Sequence, residues 1–164
     1  MVSLEAVCKL IARHEGFRGV AYKDTKGNLT IGYGTNLDGL GAAEQCRLAG
    51  VDYESARAGD AITPMQAGYL LKSAATHAMG CARVRVNGFD EMPDNVQLAI
   101  VDMIYNLGFS GFSAFRKFIA AVEERRWSDA VQEMRCSAWY HQVGQRAIDD
   151  MDLVGSACEV SAND

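Results

Sequence analysis

The chain lacks the marks of several large functional classes. No stretch reaches the roughly 20 consecutive apolar residues that a helical membrane span requires. Its five cysteines, Cys8, Cys46, Cys81, Cys136 and Cys158, are odd in number and scattered, with no CxxC pair. Such a set reads as reduced thiols packed as small hydrophobes and not as a disulfide framework. The three histidines, His14, His77 and His141, are equally isolated, so no zinc site is suggested and no metal or other cofactor is expected. The net charge is −5, whereas a nucleic-acid binder would be expected to show a basic face. Only two of the 164 residues are proline, and there is no low-complexity tract or repeat of solenoid period.

What is there is ordinary globular material, 49% apolar and 23% charged. The length suits one domain with a self-sufficient core and room for two lobes. The charge is uneven: no Lys or Arg follows Arg146, while Asp149, Asp150, Asp152, Glu159 and Asp164 do. The acid excess therefore belongs to the C-terminal end and says little about the body. The N-terminal run Met1-Val2-Ser3-Leu4-Glu5 enters a helical pattern directly, without a basic leader or cleavage site. The reading is a chain made soluble in the cytoplasm of the cell that translates it, with no stable membrane insertion.

Apolar periodicity places a helix over Ser3 to Glu15, with Leu4, Val7, Cys8 and Ile11 on one face, Ser3 as cap and Gly16 as left-handed stop. Two strands follow, Val20 to Lys23 and Asn28 to Tyr33. Asp24-Thr25-Lys26-Gly27 closes them in a type I turn. Leu29, Ile31 and Tyr33 share one face, which sends Thr30 to the open one. Asn36 to Ala61 is Gly-rich and reads as a third short strand, a loop and one helical turn. Thr63-Pro64-Met65-Gln66 is a capping box opening a helix to about Met79. Beyond Cys81 the chain reads as helical throughout. Asp94-Asn95-Val96-Gln97 is a second capping box, Gly108 a stop and Ser128 a cap, Trp139-Tyr140 sit in a turn, and a last helix spans Gln145 to Leu153 before a frayed end. Tyr33, Phe112, Phe118, Trp127 and Trp139 are expected in the core, and His14 facing solvent.

Three residues at the joints of the N-terminal stretch could carry chemistry. Continuing the stripe of the first helix by four from Ile11 lands on Glu15, at the helix C-terminus, where an apolar flank and the negative end of the dipole both disfavour a charge. Asp24, in a polar turn, is placed to stay ionised, and Thr30 offers a hydroxyl that could hold a water. Glycosidic hydrolysis needs one carboxyl as proton donor and one as anion across the bond. From the residues alone, a surface acid and an ordinary turn remain the plainer reading.

The spacing Glu15, eight residues, Asp24, five residues, Thr30, inside HEGFRGVAYKDTKGNLTIGYG from His14 to Gly34, resembles the active-site signature of the lysozyme family of T-even bacteriophages. ITPMQA from Ile62 resembles the start of that family's inter-lobe helix. AIVDMIYNLGFSGF from Ala99, RRWSDAV from Arg125, Trp139-Tyr140 and Arg146-Ala147 resemble its helical lobe.

The resemblance implies an α+β, mostly helical, lysozyme-like fold as a single catalytic domain without a separate wall-binding domain. A small lobe with a short antiparallel sheet would span about 15–62, a connecting helix about 63–80, and a helical lobe 81–164 together with the N-terminal helix. It implies a monomeric muramidase cutting the β-1,4 bond from N-acetylmuramic acid to N-acetylglucosamine in bacterial peptidoglycan. In that role Glu15 is the general acid, Asp24 orients the water and Thr30 helps to hold it. Arg146 supports the acid, and Tyr105 and Asn106 line the substrate cleft. The family's inverting chemistry asks for carboxyl groups about 6.5–9.5 Å apart. As a phage endolysin the enzyme would collect in the host cytoplasm and reach the wall through a separate holin pore. Rival readings are a lytic transglycosylase on the same bond, or a lysozyme fold reused as a wall-binding, toxin or tail component. Thr35 stands where the family usually has His, the segment 36–61 diverges, and the acidic end departs from the family's often basic one, which would weaken binding to an anionic wall.

Overall fold

The computed structural model describes residues 1–161, in which short strands near the N-terminus are followed by helices. The chain divides into two compact units, one of Cys8–Thr76 and one of Met1–Val7 with 77–164, so that the boundaries fall inside two helices, α1 (Leu4–Glu15) and α4 (Pro64–Arg85).

In the first unit the strands β1 (Arg18–Lys23), β2 (Leu29–Gly32) and β3 (Thr35–Asn36) form an antiparallel sheet in chain order. Tyr22 pairs with Thr30 and Lys23 with Leu29, while Thr30 faces Asn36 and Ile31 faces Thr35. The Asp24 turn closes as expected, with the Gly27 amide donating to the Asp24 carbonyl at 3.0 Å. The segment read as irregular holds two helices, α2 (Ala42–Leu48) and α3 (Tyr53–Ala58). Neither is long enough for a periodicity to declare itself. Asp52 caps α3 by accepting from the Ser55 amide. The unit's core is Ile31, Leu37, Cys46, Ala49, Val51, Ala56, Ile62, Ala67 and Leu70, with Leu29 and Tyr33 packed against it.

Local signals held where the capping side chains were free. Ser3 Oγ accepts from the Ala6 amide, and Gly16 stops α1 at a φ of 68°. Thr63 and Gln66 form the reciprocal box: the Thr63 amide donates to Gln66 Oε1 at 2.8 Å and the Gln66 amide to Thr63 Oγ1 at 3.2 Å.

The second unit is helical. It contains α5 (Asp94–Ser113), α6 (Arg116–Glu123), α7 (Trp127–Arg135), α8 (Ala138–Val143) and α9 (Gln145–Ser161), with α9 against α5 and α7. Phe89, Phe112 and Phe118 are fully buried, each contributing about 1.5–3 kcal/mol on area grounds. Trp127 and Trp139 are also buried.

Several sequence expectations fail here for identifiable reasons. The helix opened at Pro64 continues past Met79 to Arg85. Gln97 does not cap α5: it is buried, accepts from the Val2 amide at 3.1 Å and donates to the Met92 carbonyl at 2.7 Å. A tertiary tie has taken the side chain that a local cap would use. Gly108 (φ 73°, ψ 167°) breaks the helical path as expected, yet helix resumes to Ser113. Ser128 is not a cap, since α7 starts one residue before it. Trp139 and Tyr140 lie in α8, which Ser137 caps by accepting from the Tyr140 amide. The end expected to fray is α9 as far as Ser161, while Asp164 lies outside the described residues. His14, expected to face solvent, is half-buried.

Candidate active site

The hairpin turn is built to hold an anion. Asp24 Oδ1 accepts from the Lys26 amide at 2.8 Å and from the Asn28 amide at 2.8 Å, an Asx-type arrangement. Its Oδ2 accepts from the Asn28 side-chain amide at 3.2 Å and from the Thr30 hydroxyl at 3.5 Å. Partial burial alone would raise the Asp24 pKa. The donors from Asn28, Lys26 and Gly27 outweigh it and hold the carboxyl below its ordinary value. Asp24 is thus an ionised acceptor with fixed orientation at neutral pH.

Thr30, expected on the open face of β2, is buried at 3% exposure. Its hydroxyl lies between Asp24 Oδ2 and the Asn28 carbonyl, 3.3 Å away. Closure of the hairpin by Tyr22 opposite and Asn36 alongside accounts for that burial. The hydroxyl retains acceptor capacity for a water while donating to either oxygen.

Glu15 ends α1 half-buried, as the apolar stripe predicts. Past β2 the backbone passes close to its carboxylate at Gly34, where φ is 89° and a Cβ would stand 3.0 Å from Glu15 Oε2. Only a residue without a side chain fits both the left-handed φ and that approach. The sequence reading singled out neither Gly34 nor Asn28. Asn28 was recoverable from the Asp-x-x-x-Asn spacing of the turn, whereas Gly34 needed the tertiary contact.

Glu15, Asp24 and Thr30 belong to the sheet-bearing unit, and Tyr105, Asn106 and Arg146 to the helical one. Tyr105 and Asn106 are half-buried on α5. Asn106 Oδ1 accepts from the Trp139 indole at 2.8 Å, leaving its amide hydrogens as donors. Arg146 is 8% exposed and forks onto Asp102, Nε to Oδ2 at 2.7 Å and Nη2 to Oδ1 at 2.9 Å. Removing one partner of such a buried pair costs about 3–5 kcal/mol.

One turn along α9, Asp150 is fully buried beside the Asp102 carboxylate. Burial first, then the charge of Asp102, push this carboxyl up to about 10 against the pull of Arg146. It is a neutral acid at physiological pH. In the sequence it is one of the five acids of the C-terminal excess. Among the described residues no three His, Cys, Asp or Glu side chains converge as a metal site, and the described cysteines are free thiols.

The sequence profile of the family described as Phage lysozyme matches residues 12–151. The chain is 26% identical over 153 residues to a protein of Dictyostelium discoideum named "Probable T4-type lysozyme 2", covering 81% of this chain and 84% of the relative. It is 24% identical to that organism's "Probable T4-type lysozyme 1", over 88% of this chain and 90% of the relative.

Proposed function

Because the chain belongs to the phage lysozyme family, and so is a lysozyme-type glycoside hydrolase, we propose that it is a muramidase working through Glu15 and Asp24. It would hydrolyse the β-1,4 bond between N-acetylmuramic acid and N-acetylglucosamine in bacterial peptidoglycan. The observation that carries this reading is the Asp24 carboxylate, fixed by backbone and side-chain donors beside the Thr30 hydroxyl.

In the proposed reaction Glu15 donates a proton to the leaving glycosidic oxygen. Asp24 accepts from a water, and Thr30 Oγ1 helps to orient it. The water's oxygen attacks the anomeric carbon from the opposite face, the C–O bond breaks, and Asp24 takes up the released proton, giving inversion. Gly34 supports the reading because the bare backbone there limits where the Glu15 carboxylate can sit. Arg146 takes a supporting role toward the acid, its guanidinium made rigid by Asp102. The remaining amide of Asn106 and the Tyr105 ring are sugar contacts in this account.

A lytic transglycosylase would need one acid and no positioned water, and the investment in orienting Asp24 favours hydrolysis. Host-cell lysis by a monomeric endolysin released from the cytoplasm through a separate pore is a further part of the proposal. It stands apart from the chemistry, since the similar proteins named above belong to Dictyostelium discoideum. Clearing of permeabilised Gram-negative cells by wild type, Glu15→Gln and Asp24→Asn tests the assignment. Each substitution is expected to cost at least about 100-fold in rate, and equal clearing by all three would remove it.

A further inference from the structure

Beyond the residues that touch Asp24, one side chain outside the hairpin holds the peptide linking two of its partners. Asp38 follows β3. Its Oδ2 accepts from the Leu29 amide at 2.7 Å, and its Oδ1 from Arg57 Nη1 at 2.7 Å. Lys23 Nζ lies 3.7 Å from Oδ2. The Asp38 amide donates to Asn36 Oδ1 at 2.8 Å, which fixes the loop locally. Leu29 is gripped from its other side too, because the Leu37 amide donates to the Leu29 carbonyl at 2.7 Å.

Arg57 anchors this clasp from α3. The same Nη1 that reaches Asp38 donates to the Leu37 carbonyl at 2.9 Å and lies 3.3 Å from the Tyr53 hydroxyl, which itself donates to that carbonyl at 2.9 Å. Two residues of α3 therefore tie down the loop segment that grips Leu29. Leu29 stands between Asn28 and Thr30, and both donate to Asp24. A shift of the Leu29 peptide would move both donors together.

As an ion pair this arrangement is unremarkable in strength, since both side chains are about one-third exposed and such pairs contribute little to stability. The geometry gives it another use. Hydrogen bonds to a backbone N–H fix register and direction, which is what a reacting group held by its neighbours requires.

We propose that Asp38, anchored by Arg57, is a positioning residue for the Asp24 carboxylate, acting through the Leu29 peptide on Asn28 and Thr30. The inference rests on the reading of Asp24 as the group that orients water. The charged groups facing Asp38 are Lys23 from β1 and Arg57 from α3, while the hydrogen-bond donors to Asp24 are neutral. When the clasp is lost, the donors that hold Asp24 ionised slacken. The acid limb of the rate profile then moves to higher pH, toward an ordinary aspartate.

The test uses the full chain with purified peptidoglycan, at temperatures where circular dichroism shows each variant folded. Asp38→Ala should lower kcat about tenfold with KM within about twofold, and should move the acid limb upward. Asp38→Asn, which keeps an acceptor for the Leu29 amide, should recover part of the rate, and Arg57→Ala should change kcat and the acid limb in the direction of Asp38→Ala, more weakly. Wild-type kcat and an unmoved acid limb in folded Asp38→Ala, alongside an inactive Asp24→Asn, would overturn the positioning role while leaving the catalytic reading intact. Full activity of Asp24→Asn would instead remove the reading beneath it.

Discussion

Two aspartates show how one residue type is set to opposite states. Asp24 gains backbone and amide donors on folding, so its carboxyl lies below the ordinary value. Those bonds contribute stability that is present above the unfolded pKa and lost as pH falls through the folded one. Asp150 is raised to about 10 by burial and by Asp102. Its contribution is fully present below the unfolded value of about 3.9 and declines as pH rises toward the folded one. Asp150→Asn should therefore flatten the fall in stability between about pH 4 and about pH 10, whose slope from this one group is at most about 1.4 kcal/mol per pH unit. Urea unfolding at several pH values checks this, and parallel stability profiles for the two proteins would contradict it. The sequence could announce Asp24, because Asp-Thr-Lys-Gly-Asn is a turn with its own local donors. It could not announce Asp150, whose state depends on Asp102, far away in sequence and close only after α9 packs on α5.

Elements divide the same way, by whether their signal is local. Helix α4 was legible because Thr63 and Gln66 satisfy each other's amides across its start and Pro64 has no amide hydrogen to satisfy. Thr63→Ala should cost about 1 kcal/mol of stability and leave kcat unchanged, as thermal melts with a parallel turnover assay would show. A change in kcat at unchanged stability would mean that the cap acts on the site. The same box at Asp94 was read wrongly because Gln97 is spent on Val2 and Met92. The hairpin was legible from its turn and its alternation, but the burial of Thr30 was not, because it depends on β3 alongside. Helices α2 and α3 escaped notice, and with them Arg57, the anchor of the clasp on Asp38. The three candidate residues, Glu15, Asp24 and Thr30, could be named from the sequence, whereas Asp38 and Arg57, which hold the Leu29 peptide beside Asp24, could not.

For the whole molecule, the family match spans residues 12–151 and so draws on both compact units. The proposed account of the chemistry reduces to whether water is the nucleophile. An ionised Asp24 locked by its neighbours has a purpose if a water must be oriented and none if the sugar's own hydroxyl attacks. Mass spectrometry of the muropeptides released from purified peptidoglycan reads this directly. The account predicts fragments ending in reducing N-acetylmuramic acid, formed at a rate that collapses in Asp24→Asn, whereas fragments ending in anhydromuramic acid, released equally by wild type and Asp24→Asn, would contradict it.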